Sequence, residues 1–282
     1  MSYIFSIVYG FVQGVTEFLP VSSTGHLVVL HAIWRLPIAD DLGFDAILHL
    51  GTFAALLFYF WSDIVKYVRA IAVGLGKRDA RGTDWRLGWL LILGTIPAVL
   101  LGLIFESYVD TTFRSLWVVV VALAIGAVFF FWLEKVSRQT KDIDRVTPGS
   151  AIAIGVGQAI ALIPGISRSG STIITGLAFG LKREAAARFA FLLAIPITLG
   201  AGTKKTLDVV QTHGFGQHWL VYALGVAASA VSGYFCIRFF LRYLNNRSLR
   251  PFGWYRLALA VLLAILLLSG VLQSGMAQHV AG

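Results

Sequence analysis

Long apolar stretches separated by short polar segments dominate the chain. Six of these stretches are long enough to cross a bilayer of about 30 Å as α-helices rising about 1.5 Å per residue. They cover residues 44–66, 87–107, 115–133, 185–203, 219–240 and 254–272. The pattern predicts an all-α polytopic membrane protein with six transmembrane helices, forming a single membrane domain over residues 1–282.

Two further apolar regions, residues 3–35 and 149–180, are each interrupted by a cluster of Pro, Ser and Gly. Such a cluster ends a helix. Each half, about 12 to 16 residues, would be about 18 to 24 Å long as a helix and too short to span the membrane. We therefore predict two re-entrant helical hairpins. Non-helical backbone at membrane depth needs protein or a wet cavity around it, so we expect a cavity at both breaks.

The two interrupted regions also resemble each other. GFVQGVTEFLPVSSTGHLVV and GVGQAIALIPGISRSGSTII share Gly-x-x-Gln, then Pro, then a Ser- and Gly-rich break. The chain then consists of a hairpin and three spans, twice, in pseudo-repeats of about 1–140 and 149–282. Because three spans invert the second unit, we expect inverted repeats, an arrangement that brings broken helices together at a binding site.

The charge pattern predicts the orientation of the spans. The net charge is +9, and 18 of the 23 Lys and Arg residues lie in or beside four linkers, GKRDARGTDWR, EKVSRQTKDIDR, LKREAAAR and RYLNNRSLRPFGWYR. The positive-inside rule places these linkers in the cytoplasm, so the basic charge indicates topology and not a nucleic-acid partner. The opposite connections share only Arg35, Arg114, Lys204 and Lys205, which leaves Arg168 as a basic residue within a hairpin.

Two smaller features narrow the class of protein. The start, MSYIFSIVYG, has no basic n-region, so we expect no cleaved signal peptide. The single cysteine, Cys236, excludes an internal disulfide framework and a cysteine-rich metal site.

Candidate chemistry in the first hairpin centres on Glu17. Gly10, Gln13, Gly14 and Glu17 recur at helical spacing and share one face. Ser22, Ser23, Thr24 and His26 follow at the break. A charged residue at the bilayer centre costs about 2.5–3.5 kcal/mol, so Glu17 is expected to have a function or an ion-pair partner.

The second hairpin supplies positive charge. Its break presents Ser167, Arg168, Ser169 and Thr172 where a helix is about to begin, and free N–H groups at a helix start bind anions. Arg168 adds a fork of donors suited to phosphate oxygens. Two plainer interpretations stay open: Glu17 and Arg168 as a structural ion pair, and the Ser and Thr residues as helix caps. Asp45, and more weakly His49, are further candidates at the start of the first span.

With QGVTEFLPVSSTGH and PGISRSGST in hand, the chain resembles the undecaprenyl-diphosphate phosphatase family, membrane enzymes linked to bacitracin resistance. The resemblance covers essentially the whole chain. It implies hydrolysis of undecaprenyl diphosphate to undecaprenyl phosphate, which recycles the lipid carrier for peptidoglycan synthesis. It also implies a location in the bacterial plasma membrane, a site open to the outer side, a divalent metal, and the fold of six spans with two re-entrant hairpins.

The family's motifs can be carried over residue by residue. Its acidic motif falls on Gln13 and Glu17, and its following serine and histidine fall on Ser23 and His26. Its phosphate-binding set falls on Ser167, Arg168, Ser169 and Thr172, with Asp45 as the acidic residue of the first span and Ser22 beside Ser23. Many members have Glu where this chain has Gln13, so Glu17, with Asp45 or with substrate oxygens, would have to hold the Mg²⁺ or Ca²⁺ ion.

Several alternatives stay open at this point. Ser23, His26 or water could attack phosphorus. A transporter for lipid phosphate would also explain inverted repeats with broken helices, although transport needs no nucleophile. A structural assembly protein would leave Glu17 and Arg168 without a purpose. The sequence does not fix the oligomeric state, and a homodimer is among the states it allows.

Overall fold

The computed structural model describes residues 2–34, 41–77, 79, 81–112, 115–212 and 218–272. Eleven α-helices are defined in these ranges: α1 Ser2–Phe18, α2 Ser23–Ile33, α3 Asp41–Tyr59, α4 Trp61–Gly76, α5 Thr83–Thr112, α6 Leu116–Val136, α7 Pro148–Ile160, α8 Arg168–Ala178, α9 Arg183–Thr212, α10 Trp219–Leu244 and α11 Arg250–Leu268. Within the same ranges, β-type pairing is limited to an isolated bridge between Lys141 and Leu181. The predicted all-α fold is confirmed.

Five of the helices are long and apolar enough to cross a membrane, namely α5, α6, α9, α10 and α11. Each overlaps one of the predicted spans. The chain is therefore a multi-pass helical membrane protein. Arg35 and Arg114, two of the four basic residues assigned to the outer side, lie outside the described residues.

The first predicted span, residues 44–66, is not one continuous helix. α3 ends at Tyr59, α4 begins at Trp61, and the two helices meet at an angle of 71°. Phe60 between them is fully buried, and Asp63 in the first turn of α4 forms an ion pair with Arg188 at 2.7 Å. A carboxylate favours the positive end of a new helix. With no Pro or Gly at the bend, the apolar pattern gave no sign of it.

Four shorter helices form the two interrupted regions. α1 and α2 are separated by residues 19–22, and α7 and α8 by residues 161–167. The longest of the four, α1, has 17 residues and is about 25 Å long. None of these four reaches the thickness of about 30 Å that a span requires. Both helix breaks occur where the Pro, Ser and Gly clusters predict them.

Small residues bring each broken pair against a long helix from the other half of the chain. α1 packs on α10, where a side chain at Gly10 would collide with the carbonyl of Gly225. α7 packs on α5, where a side chain at Gly155 would collide with the carbonyl of Gly94. Close backbone approach through small residues is how helices associate in lipid. Because each broken pair packs on a long helix from the other half of the chain, the two breaks meet in the interior.

Candidate active site

A cavity of about 290 Å³ lies where the two breaks meet. Its first wall is the start of α2, from Ser22 to Thr24, with Thr16 and Glu17 from α1. Its second wall runs from Ala161 to Arg168, and α3 and α9 close the sides. The volume is close to the lower limit of about 300 Å³ for small-molecule sites, so the cavity suits a headgroup and not a long lipid tail.

Glu17 is the centre of the polar contacts in this cavity. Its Oε1 accepts a bond from Nη2 of Arg168 at 2.8 Å, across 151 positions of sequence. Its Oε2 accepts from the Ser23 hydroxyl at 2.8 Å and from the Gln13 amide at 3.1 Å. His49 Nε2 lies 3.6 Å from the same oxygen. The predicted meeting of the acidic and basic residues of the two hairpins is thus observed as a direct ion pair.

Arg168 is held from two directions. Its second nitrogen, Nη1, donates to the hydroxyl of Thr198 on α9 and lies 3.5 Å from the carbonyl oxygen of Ala194. The guanidinium plane is therefore fixed between α9 and Glu17. Arg168 is the first residue of α8 and therefore lies beside the free N–H groups of that helix, which favour anions.

Two serines hold the breaks in an unusual backbone conformation. Ser22 and Ser167 each precede the second helix of their pair, with φ of 72° and 71°. The Ser167 hydroxyl caps α8 by accepting a bond from the N–H of Gly170 at 3.2 Å. The Ser22 hydroxyl is buried in the cavity wall and has no hydrogen-bond partner among the described residues. Capping therefore explains Ser167, while Ser22 has a free hydroxyl.

His26, a predicted catalytic residue, does not line this cavity. Its Nδ1 is 2.8 Å from the carbonyl oxygen of Ser22, and its Nε2 is 2.6 Å from the Tyr255 hydroxyl. The two rings are stacked at 5.5 Å. His26 lies one turn into α2 and faces a separate apolar pocket between α1 and α11. The His26 ring therefore contacts the main chain of the first break from outside the cavity.

Three other predicted residues also point elsewhere. Asp45 is bonded through both carboxylate oxygens to Nε2 of His31 at 3.0 Å and does not line the cavity. The Ser169 hydroxyl lies 3.2 Å from the carbonyl oxygen of Leu19, which joins the two breaks. The Thr172 hydroxyl bonds to the carbonyl of Arg168 at 2.7 Å within α8. These contacts support the walls of the cavity and do not face into it.

Three residues were missed or undervalued from the sequence. His49 lines the cavity beside Glu17, although the sequence made it only a weak candidate. Thr198 contacts Arg168 from a helix that reads as a plain span. Arg256, counted among the cytoplasmic charges, is fully buried and bonds to both breaks. A Thr in an apolar helix and an Arg near a helix start are common, so only their spatial neighbours distinguish them.

The described residues around the cavity supply few ligands for a divalent cation. In the described part of the chain, no group of three or more His, Cys, Asp or Glu side chains could hold a metal ion. Glu17 is the one described carboxylate that lines the cavity. Oε1 of Gln13, behind Glu17, is buried with no hydrogen-bond partner among the described residues and is a further oxygen donor. Because Mg²⁺ is usually held by one or two carboxylates together with substrate phosphates, these residues fit a cation that binds along with a phosphate group.

These features define a multi-pass helical membrane protein with a polar cavity formed by two broken helix pairs. The chain belongs to the family described as bacitracin resistance protein BacA, whose model matches residues 6–262. The family inferred from the two motifs is thereby confirmed.

Similar proteins named undecaprenyl-diphosphatase occur in several bacteria. The chain is 43% identical to the protein of Rubrobacter xylanophilus over 267 residues, covering 93% of this chain and 97% of that protein. It is 43% identical to the protein of Teredinibacter turnerae, covering 94% and 99%. It is 41% identical to the protein of Micrococcus luteus, covering 97% and 100%. The similarity therefore extends over nearly the full length of each protein.

Proposed function

We propose that this protein hydrolyses undecaprenyl diphosphate to undecaprenyl phosphate and inorganic phosphate. The observation that carries the proposal is the array in which Ser23 and Arg168 contact opposite oxygens of Glu17, each at 2.8 Å. A hydroxyl bonded to a carboxylate is a nucleophile with its base, and an arginine at a helix start is a phosphate ligand. The names of the similar proteins support this substrate.

The first chemical step follows from the array. The terminal phosphate takes Arg168 as its partner, which frees Glu17 to act as a base. The Ser23 oxygen attacks the terminal phosphorus, and its proton passes to Glu17. The bond from phosphorus to the bridging oxygen breaks, and undecaprenyl phosphate leaves with that oxygen. The free N–H groups at the starts of α2 and α8 and the Ser22 hydroxyl would bind the non-bridging oxygens.

The second step restores the enzyme. Water attacks the phosphorus of the phosphoserine, and the bond to the Ser23 oxygen breaks. Glu17 returns its proton to the Ser23 oxygen, and the water oxygen leaves with both of its protons as part of the inorganic phosphate. This geometry favours Ser23 over His26 as the nucleophile, because both ring nitrogens of His26 are occupied outside the cavity. Direct attack by water would differ in leaving no phosphoserine.

We include a divalent cation, Mg²⁺ or Ca²⁺, in the proposal. Glu17 would hold it, with Gln13 Oε1 as a second oxygen ligand. When bound, it would neutralise the charge of the phosphate oxygens.

We further propose that the protein lies in the bacterial plasma membrane with six spans and two re-entrant pairs, α1 with α2 and α7 with α8. The cavity would open to the outer side. Three observations support this arrangement: the concentration of Lys and Arg in four alternate linkers, the short helices of both pairs, and the packing of each pair on the opposite half. In this arrangement α3 and α4 together make up the first span. Bacitracin resistance and carrier recycling for peptidoglycan would follow from a supply of undecaprenyl phosphate.

The test is phosphate release from a polyprenyl diphosphate by the purified protein in detergent, with and without EDTA. We expect the wild type to release phosphate and EDTA to abolish release. Ser23→Ala should lose about 1,000-fold or more in kcat. Ser62→Ala is the matched control, since Ser62 is exposed on α4 and does not line the cavity.

Two outcomes would contradict the proposal. If the wild type releases no phosphate while liposomes containing it move lipid phosphate across the bilayer, the protein is a transporter. If Ser23→Ala retains wild-type kcat, or if rapid acid quenching of the wild type traps no phosphoserine, Ser23 is not the nucleophile. Direct attack by water would then account for hydrolysis.

A further inference from the structure

Arg256 is a buried cation that the proposed mechanism does not use. It lies in the second turn of α11 and is completely inaccessible to solvent. None of the ion pairs in the described ranges includes it. A buried charge without a counter-ion is costly unless hydrogen bonds satisfy it, so its partners should show what it does.

The guanidinium of Arg256 is bonded to four main-chain carbonyls. Nη2 donates to Ala122 and Gly165, each at 3.1 Å, and Nε donates to Leu123 at 3.3 Å. Nη1 donates to Pro20 at 3.4 Å. A planar guanidinium presents its donors in a rigid fork, so these carbonyls are held in a fixed relation to one another.

The carbonyls belong to three separate parts of the chain. Pro20 lies in the first break, and Gly165, whose φ is +93°, lies in the second. The other two carbonyls are on α6. Carbonyls at a helix break have lost their helical partners and need donors, which lipid cannot supply. Arg256 supplies them to both breaks from a single side chain.

The surroundings are shaped to admit this side chain. A Cβ on Gly126 of α6 would collide with the guanidinium, so the absence of a side chain there makes room for it. A Cβ on Gly170, in the first turn of α8, would lie 3.4 Å from Nη1. The guanidinium thus sits directly behind the helix start that carries Arg168.

We propose that Arg256 is a positioning residue that fixes the separation of the two breaks, so that Ser23, Glu17 and Arg168 meet in one cavity. It touches none of the reacting atoms and acts through the carbonyls of Pro20 and Gly165. The expected loss of kcat rests on the proposed phosphatase function, whereas the expected change in hydrogen exchange at the two breaks does not.

The kinetic test compares three variants with a control. Arg256→Met removes the fork, and Arg256→Lys keeps the charge with fewer donors. Gly126→Ala displaces the fork without touching the charge, and Gly102→Ala is its control, because a Cβ there meets nothing within 4 Å. Since a displacement of about 1 Å can cost about 100-fold, we expect that loss in kcat for Arg256→Met and a smaller one for Arg256→Lys and Gly126→Ala. KM should change less than kcat, because Arg168 and the start of α8 remain.

The second readout is independent of activity. Hydrogen exchange by mass spectrometry on the purified proteins should be faster in the peptides covering both breaks in Arg256→Met and Gly126→Ala. It should be unchanged in α9 and α10 and in every peptide of Gly102→Ala. If the wild type releases no phosphate, the proposed function fails, and the exchange comparison still decides the role of Arg256.

Two results would overturn the inference. Uniformly faster exchange throughout Arg256→Met would show a general packing role. Unchanged exchange at both breaks, or a kcat of Arg256→Met within twofold of wild type, would show that the breaks hold their positions without it.

Discussion

Ser22 and Ser167 adopt nearly the same unusual backbone conformation, with φ and ψ of 72° and 101° in one and 71° and 113° in the other. Each precedes the second helix of a broken pair. In both pairs, a buried glutamine, Gln13 or Gln158, lies on the preceding helix at the same distance along the chain. This correspondence supports the proposed pseudo-repeat, because left-handed backbone at a serine is rare and does not recur by chance at equivalent positions.

The conformation of Ser22 predicts that glycine will stabilise this position. A non-glycine residue in such a region costs about 1–3 kcal/mol, and the Ser22 hydroxyl has no partner among the described residues to lose. Ser22→Gly should therefore raise the free energy of unfolding by about 1 kcal/mol, after the greater chain entropy of glycine is subtracted. Thermal unfolding in detergent measures this, with Ser22→Ala as the control that keeps the strain. A glycine variant less stable than the alanine variant would contradict it.

The ion pair of Glu17 and Arg168 predicts unequal effects on stability and activity. Glu17→Leu leaves the partly buried Arg168 without its counter-charge, which should cost about 3 kcal/mol of stability. Arg168→Met added to Glu17→Leu should recover much of that loss, because two apolar side chains then replace the pair. Neither protein should release phosphate.

A double-mutant cycle on unfolding free energy checks this prediction. The coupling between the two positions should be about 1–3 kcal/mol. Losses that simply add would show that the pair contributes nothing in the folded protein. The same cycle distinguishes the structural interpretation of the pair from the functional one. Our mechanism predicts that the double variant recovers stability without activity. Recovery of both would contradict it.

Much of this site could be predicted from the sequence, and the reasons are physical. Pro, Ser and Gly clusters interrupt helices wherever they occur, so the breaks at residues 19–22 and 161–167 were visible. Charges are rare at membrane depth, so Glu17 and Arg168 stood out. The opposite charge of the two breaks, together with their similarity, then predicted that they meet.

The features that the sequence did not predict depend on the direction in which a side chain points and on its neighbours in space. The bend at Phe60 has no breaker residue, and the ion pair beside it joins Asp63 to Arg188, which is distant in the sequence. The sequence favoured His26 over His49, whereas His49 lines the cavity and His26 does not, because the sequence does not show which face of α2 or α3 looks into the cavity. In the sequence, Arg256 near a helix start looks like any other basic residue that sets membrane topology. Only its contacts with the carbonyls of both breaks distinguish it.

The contact between His26 and Tyr255 predicts that these residues act as one unit. The Ser22 carbonyl can only accept, so Nδ1 carries the proton, and Nε2 accepts from the Tyr255 hydroxyl at 2.6 Å. Losing one such bond costs about 1 kcal/mol, so Tyr255→Phe should lower the free energy of unfolding, measured by thermal unfolding in detergent, by about that amount. Tyr255→Phe should have no further effect in a His26→Ala background. The exposed Tyr3 gives the control Tyr3→Phe, and additive losses in the double variant would contradict the prediction.

The orientation of the cavity can be tested by single cysteines placed at exposed positions on opposite sides. Basic linkers remain in the cytoplasm, so Arg138, between α6 and α7, should lie inside, and His218, before α10, should lie outside. In a Cys236→Ala background, His218→Cys should react with an impermeant thiol reagent in intact cells, and Arg138→Cys should react only after the membrane is opened. The reverse pattern would turn the cavity toward the cytoplasm, and the substrate would then have to be a lipid diphosphate of the inner leaflet. Labelling of both in intact cells would show leaky cells, which a cytoplasmic marker protein detects in the same sample.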